Sequence, residues 1–171
     1  NREKVSYAME LLKRSDISEL RFELEDKFFS FLEPEIYNHY NILLQFSKET
    51  YLKRDQEIRA HFQSILSETG INAELQSRLK SIYSIHKKIV EKNLLYSQIL
   101  DTIGLRIILE SVDDCYKAMA VVLKQYPIIT CKIKDYIAIP KNNGYQSIHL
   151  TIYYEGHPVE IQIRSREMHE Q

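Results

Sequence analysis

Cysteine, glycine and proline are all scarce in this 171-residue chain, which holds two, four and four of them respectively. Two cysteines, Cys115 and Cys131, without C-x-x-C spacing or a nearby histidine cluster, suggest neither a disulfide framework nor a zinc site and predict buried thiols in a reducing compartment. So few glycines and prolines, beside 44% apolar and 27% charged residues, exclude collagen-like, linker-rich and disordered classes. An excess of charge is missing too. A formal net charge of −1 leaves no bulk attraction to duplex nucleic acid or an anionic membrane, although a local basic cluster can still hold a polyphosphate. No apolar run approaches the ~18 residues of a membrane span, and no signal-peptide pattern opens the chain. The expectation is a soluble, cytoplasmic protein with no membrane contact. Asn1 in place of Met, and a polar ending at Met168-His-Glu-Gln171, suggest a piece of a longer polypeptide.

What is present falls into two textures. Residues 1–70 carry apolar positions at helical spacing, among them Val5, Ala8, Leu11 and Leu12, then Leu24, Phe28 and Leu32, then Ile36, Tyr40, Leu43 and Leu44. Ser15 to Ser18 reads as a cap for a second helix. Pro34 suits the first turn of a third, which runs on towards Gly70. The segment 1–70 is expected to be a helical lead-in, and 71–171 a mixed α/β core, giving an α+β fold. In the core, Ile103–Leu109 reads as a strand, Val112–Gln125 as an amphipathic helix, and 128–139 as an extended stretch ending at Pro140. Two further strands, 147–154 and 157–164, flank Glu155-Gly156, the natural centre of a two-residue hairpin.

That hairpin fixes a register. Tyr154 pairs with His157, Ile152 with Val159, Thr151 with Glu160, His149 with Gln162 and Ser147 with Arg164. One face of the hairpin is then apolar, and the other carries Ser147, His149, Thr151, Glu160, Gln162 and Arg164. Such a face is either an ordinary exposed sheet surface or a binding surface.

Three other groups carry chemistry. Arg78, Lys80, Lys87 and Lys88, around an Ile82, Ile85 and Ile89 stripe, form a basic helix face that is either solvated or able to bind a triphosphate, Arg as a fork and Lys as a point charge. Asp101, just before the first core strand, is either a cap or a magnesium ligand working with substrate phosphates. Glu160 supplies a second carboxylate, and two acids with a basic cluster are the parts of phosphoryl transfer. Gly144 allows a tight turn that presents Tyr145, either as a platform for a base or as a loop residue covering the core. Lys141, Asn143 and His149 stand close by in sequence.

These segments resemble the synthetase domain of RelA/SpoT alarmone enzymes in order and spacing. Lys134-Asp-Tyr-Ile-Ala followed by Pro140-Lys-Asn-Asn-Gly-Tyr-Gln-Ser-Ile-His149 is similar to that family's guanine-binding loop. Val159-Glu-Ile-Gln-Ile-Arg164 with Met168-His169 resembles its catalytic strand, Arg78 to Lys88 its ATP-phosphate motif, and Asp101 to Arg106 its metal-binding strand. The helical entry from Ile17 to Asp26 resembles the segment joining hydrolase and synthetase domains in the long enzymes.

The resemblance implies a nucleotidyltransferase-like mixed sheet flanked by helices. It also implies transfer of pyrophosphate from ATP to the 3′-hydroxyl of GDP or GTP, with release of AMP. By the same resemblance, Arg78, Lys80, Ser84, Lys87 and Lys88 bind ATP. Lys134, Lys141, Asn143, Tyr145, His149 and Gln162 bind the guanosine nucleotide, with Tyr145 stacked on guanine. Asp101 and Glu160 are the catalytic carboxylates and hold Mg2+ or Mn2+, and Glu160 is the candidate for activating the hydroxyl. The partners are ATP and GDP or GTP, and any ribosome contact would lie in other regions.

Ser77 stands where the family often has Gly, and Gly104 where Ala is common. The family continues past the last residues here into an Ala-Glu-x-Gly helix that helps close the guanosine pocket. The alternative is therefore a catalytically impaired fragment that binds nucleotide or a partner protein. A third reading, an RNA-binding module built on the basic helix and Tyr145, is poorly supported by balanced charge and two positioned acids. No His-Asp dipeptide occurs, although the family's hydrolase site needs one, so no alarmone hydrolysis is expected.

Overall fold

The computed structural model describes residues 2–12, 18–78, 80–100, 103–126 and 133–171. They form two compact units, one of residues 1–49 and 80–100, the other of 50–79 and 101–171. The first holds helices α1 (Arg2–Leu12) and α2 (Ser18–Leu32), the start of α3 (Pro34–Glu68), and α4 (Ile82–Lys92) and α5 (Tyr96–Leu100). Its core is Phe29, Tyr40 and Ile82, with Tyr37, Leu43, Leu44, Tyr83, Ile89 and Tyr96 packed around them. Phe29 stacks on His86 with ring centroids 4.9 Å apart, and Tyr40 on Tyr96 at 5.6 Å. Helix α3 begins at Pro34, where the missing N–H costs nothing, and stops before Gly70, whose φ of +75° ends the helical path.

The second unit joins the rest of α3 to β1 (Glu74–Ser77), β2 (Ile103–Leu109), α6 (Val112–Gln125), β3 (Lys134–Asp135), β4 (Ile148–Tyr154), β5 (His157–Ser165) and α7 (Arg166–Glu170). The strands form one mixed sheet in the order β1-β2-β5-β4-β3, with β2 and β5 parallel and the other pairs antiparallel. The fold is thus α+β with a mixed sheet and helices packed on it. On α3, Ile58, Phe62, Ile65 and Leu66 recur at helical spacing. On α6, Cys115, Ala118 and Val122 do the same. Both stripes bury against Leu105, Ile107, Leu150, Ile161 and Ile163 of the sheet. Each large apolar side chain fully buried there, such as Phe62, contributes about 1.5–3 kcal/mol relative to exposure. Cys115 lies in this core, where burial pushes its thiol up to about 11. Cys131 lies outside the described residues.

The hairpin follows the register that its turn dictates. Glu155 (φ +47°) and Gly156 (φ +80°) occupy the two left-handed positions, and pairs run from Tyr154↔His157 to Ile148↔Ile163. Ser147 lies just beyond the ladder, its hydroxyl donating to the Ile163 carbonyl at 3.1 Å.

Two expectations need correction. The stretch 128–139 is extended only at Lys134–Asp135 among the described residues. The Asp135 carboxylate accepts from the amides of Ile137 and Ala138, both at 3.0 Å, and folds the chain into a turn. Nor do Arg78 and Lys80 ride on the basic helix, because α4 starts at Ile82 behind the Ser81 cap, leaving Arg78 just past β1.

Candidate functional site

The pleat of the sheet sorts side chains by parity, and the face away from α3 and α6 collects most of the polar residues of the strands. One row across it runs Gly104, Glu160, Thr151, and the next runs Gln76, Arg106, Gln162, His149, Lys134. Arg78 belongs beside the first row. Its amide donates to the Gly104 carbonyl at 2.7 Å, and its Nη1 donates to Glu160 Oε2 on the next strand at 3.1 Å. Glycine is what permits this approach, since a Cβ at position 104 would come within 2.7 Å of the Arg78 carbonyl oxygen and 2.9 Å of its Cβ. The hairpin's polar face is also far from a solvated surface. Gln162 and Arg164 are 7% and 5% exposed, and the Arg164 Nη2 donates to Gln162 Oε1 at 3.1 Å.

Beyond the second row stands the loop of residues 141–145. Gly144, at φ +79°, closes a turn in which its amide donates to the Lys141 carbonyl (2.8 Å) and the Lys141 amide to the Tyr145 carbonyl (3.1 Å). Asn143 Oδ1 accepts from the Tyr145 amide at 3.3 Å, so its side chain shapes the loop. The turn sets Tyr145 beside His149, its hydroxyl 2.8 Å from Nε2 and the two rings nearly perpendicular. Lys141 Nζ lies 5.0 Å, and the Arg164 guanidinium carbon 5.6 Å, from the centroid of the Tyr145 ring.

His149 registers the electrostatics of this face. Burial, then the positive charges of Lys141, Arg78, Arg164 and Lys134, push its pKa down from 6.5 to about 4. Four cations, one from just past β1 and the others from β5, β3 and the loop, therefore act on one neutral imidazole, the field an anion would complete. The same geometry sets a pH dependence. Between pH 6.5 and 4 the unfolded chain binds a proton at His149 that the folded chain does not. The contribution of this group to stability is complete above pH 6.5 and is lost as the pH falls through that window. A melting temperature followed from pH 7 to 4 is expected to fall less steeply in His149→Gln than in the unsubstituted chain, and equal slopes would assign the titration elsewhere.

The other residues expected to bind ATP lie in the helical unit. Lys80 Nζ donates to the Ile99 carbonyl at 3.1 Å. The Ser81 hydroxyl caps α4 by accepting from the Ser84 amide and donates to the Ser84 hydroxyl. Ser84, Lys87 and Lys88 are neighbours on that helix, Lys87 lying 3.7 Å from Glu91. The N-terminus of α4 already has an anion of the chain's own, since the Asp26 carboxylate accepts from the amides of Ile82 and Tyr83 at 3.1 and 2.8 Å. Burial raises the Asp26 pKa despite those bonds. Asp101 lies outside the described residues.

Sequence reasoning missed Arg164 as a site residue, although its alternation with Glu160 and Gln162 placed it on the right face. It also missed Tyr136, whose ring meets those of Tyr145 and His149 edge to face, at 6.3 and 5.3 Å. Asp55 of α3 gave no sequence signal. It is 2% exposed, accepts from the Ser77 hydroxyl at 2.5 Å and from Arg59 Nε at 3.0 Å, and so ties the residue before Arg78 to the helix behind the sheet.

Residues 77–171, which include all of this sheet face except the Gln76 end of β1, match the family model described as a region found in RelA/SpoT proteins. The chain belongs to the RelA/SpoT family. It is 38% identical over 164 residues to a GTP pyrophosphokinase of Escherichia coli, an alignment that takes in 94% of this chain and 22% of that protein. The chain thus spans about a fifth of that relative's length. Among solved structures it resembles the small alarmone synthetase 2 of Bacillus subtilis, with a TM-score of 0.56, 32% identity and 71% of each chain covered. It also resembles the small alarmone synthetase 1 of Bacillus subtilis bound to its product pppGpp, with a TM-score of 0.55, 27% identity, and 74% of this chain and 75% of that one covered. No helix among the described residues is long and apolar enough to cross a membrane.

Proposed function

We propose that this RelA/SpoT chain transfers pyrophosphate from ATP to the 3′-hydroxyl of GDP or GTP. The observation that carries the reading is the pairing of Arg78 with Glu160 at 3.1 Å on the same sheet face as a neutral histidine ringed by four cations. A guanosine nucleotide would stack on Tyr145 and set its phosphates among Lys134, Lys141 and His149, with Asn143 holding the loop and Gln162 on the strand below. ATP phosphates would take Arg78, with Lys80, Ser84, Lys87 and Lys88 as further donor-side residues. The 3′-oxygen then bonds to the β-phosphorus of ATP while the bond from that phosphorus to the α,β-bridging oxygen breaks, so AMP departs with the bridging oxygen. The hydroxyl proton passes to a base.

Glu160 is the candidate base. Its Oε2 accepts from Arg78 Nη1 at 3.1 Å. An ATP phosphate that draws Arg78 away would release it for this role. A Mg2+ or Mn2+ ion fits the chemistry of Glu160 and Asp101. No group of three or more His, Cys, Asp or Glu gathers among the described residues, and magnesium bound by one or two carboxylates plus substrate phosphates needs none. When bound, the ion would neutralise phosphate charge.

Product chromatography is the test. Incubation with ATP, magnesium and GDP or GTP is expected to yield AMP and a 3′-pyrophosphorylated nucleotide in equal amounts. Binding of both nucleotides without AMP would instead support the impaired, nucleotide-binding reading. Affinity for RNA that falls steeply with salt and is not competed by magnesium nucleotides would support the RNA-binding one.

A further inference from the structure

Lys141 is the residue of the loop whose side chain has the most freedom to lose. It is exposed, it carries four rotatable carbons, and among the described residues it has no ion-pair partner. Its ammonium nonetheless has a defined seat. Nζ lies 4.7 Å from the centroid of the Tyr136 ring and 5.0 Å from that of Tyr145. The two rings stand edge to face at 66°, so their negative faces form a shallow cradle for a cation.

The cradle is anchored from behind. The Tyr136 amide donates to the Ser147 carbonyl at 3.0 Å, which ties that residue to the entry of β4, and its ring abuts His149 at 89°. On the other side, the Lys141 amide bonded to the Tyr145 carbonyl holds the base of the lysine opposite the ring that its tip touches. Both ends of Lys141 are thereby fixed before any anion arrives.

We infer that Tyr136 is a positioning residue for the guanosine nucleotide, its ring forming with Tyr145 a cation–π seat that presents the Lys141 ammonium to the nucleotide's phosphates. This rests on the reading that the loop of residues 141–145 binds that nucleotide. The seat spares part of the side-chain entropy that an exposed lysine would lose on gripping a phosphate. A phenyl ring serves as well as a phenol, since the interaction is with the ring face. An aliphatic side chain of similar bulk does not serve.

Calorimetry on the whole chain tests this, with GDP and guanosine as probes and Tyr136→Phe, Tyr136→Leu, Lys141→Met and Tyr136→Leu/Lys141→Met as variants. Tyr136→Phe is expected to bind GDP within about twofold of the unsubstituted chain. Tyr136→Leu is expected to bind it about fivefold more weakly, the scale of one cation–π contact at an exposed site. Guanosine, which has no phosphate, should bind Tyr136→Leu and the unsubstituted chain alike, and Tyr136→Leu should cost nothing further in the Lys141→Met background. A loss for GDP that persists undiminished without Lys141, an equal loss for guanosine, or a Phe variant as weak as Leu would overturn the seat and leave Tyr136 as packing. If Lys141→Met itself binds GDP normally, the guanosine reading of the loop fails, and this inference with it.

Discussion

Replacing Glu160 by Gln is expected to lower turnover by about 10²–10⁴-fold, the usual contribution of a positioned proton acceptor, while GDP affinity stays largely intact. The substitution conserves size and a hydrogen-bond acceptor for Arg78 Nη1, now 3.1 Å from the carboxylate, and removes only the negative charge. Glu160 lies in the row of Gly104 and Thr151, one row from Gln162 and His149. Its loss should therefore leave the seat of the guanosine nucleotide undisturbed. AMP release and GDP calorimetry on the same preparation separate the two effects. Turnover within a few-fold of the unsubstituted chain would take Glu160 out of the chemistry, whether as base or as metal ligand. A parallel fall in GDP affinity would mean that the charge organises the whole face.

Tyr145→Ala should produce the largest selective loss of binding. A guanine stacked on the ring gains about 1–3 kcal/mol by alanine substitution, which is roughly 5- to 150-fold in affinity for GDP and GTP at ~1.4 kcal/mol per decade. The affinity for an ATP analogue should stay nearly constant. Tyr145→Phe should retain most of the binding, because the ring remains and only the hydroxyl contact with His149 Nε2 at 2.8 Å is lost. A tyrosine that merely covers the core would behave differently, lowering the melting temperature and weakening both nucleotides together. The ring is only half-buried and bordered by Lys141 and Arg164, an environment suited to a ligand more than to core packing.

Much of this face was legible because local rules fix it. Glu155-Gly156 admits one tight hairpin, and a two-residue turn leaves no freedom in register. Thr151 opposite Glu160 and His149 opposite Gln162 could therefore be read before any packing was known. The segments β2 and α6 were equally plain, β2 as a short apolar run buried on both faces and α6 as a stripe of period 3.6. The stretch 128–139 misled, because its recurring isoleucines and closing proline suggest an extended chain. The decisive interaction there is a single side chain, Asp135, bonding two amides ahead of it. The four residues of β1 also escaped notice, being too short and too polar to announce a strand, and with them went the true place of Arg78.

The sequence by itself determined which residues share the β4–β5 hairpin face, the turn that presents Tyr145, and the family to which their motifs point, because each depends on spacing along a short segment. Only the tertiary structure decided that β5 is central, flanked by β2 and β4, so that Arg78 from beyond β1 crosses a glycine to reach Glu160. Only it brought Lys134, Lys141, Arg164 and Arg78 around His149, and Tyr136 under Lys141. Those arrangements rest on contacts between segments up to 82 positions apart, as between the side chains of Arg78 and Glu160. Which distant strands become neighbours is set by how the whole chain buries its apolar face, a constraint no local spacing records.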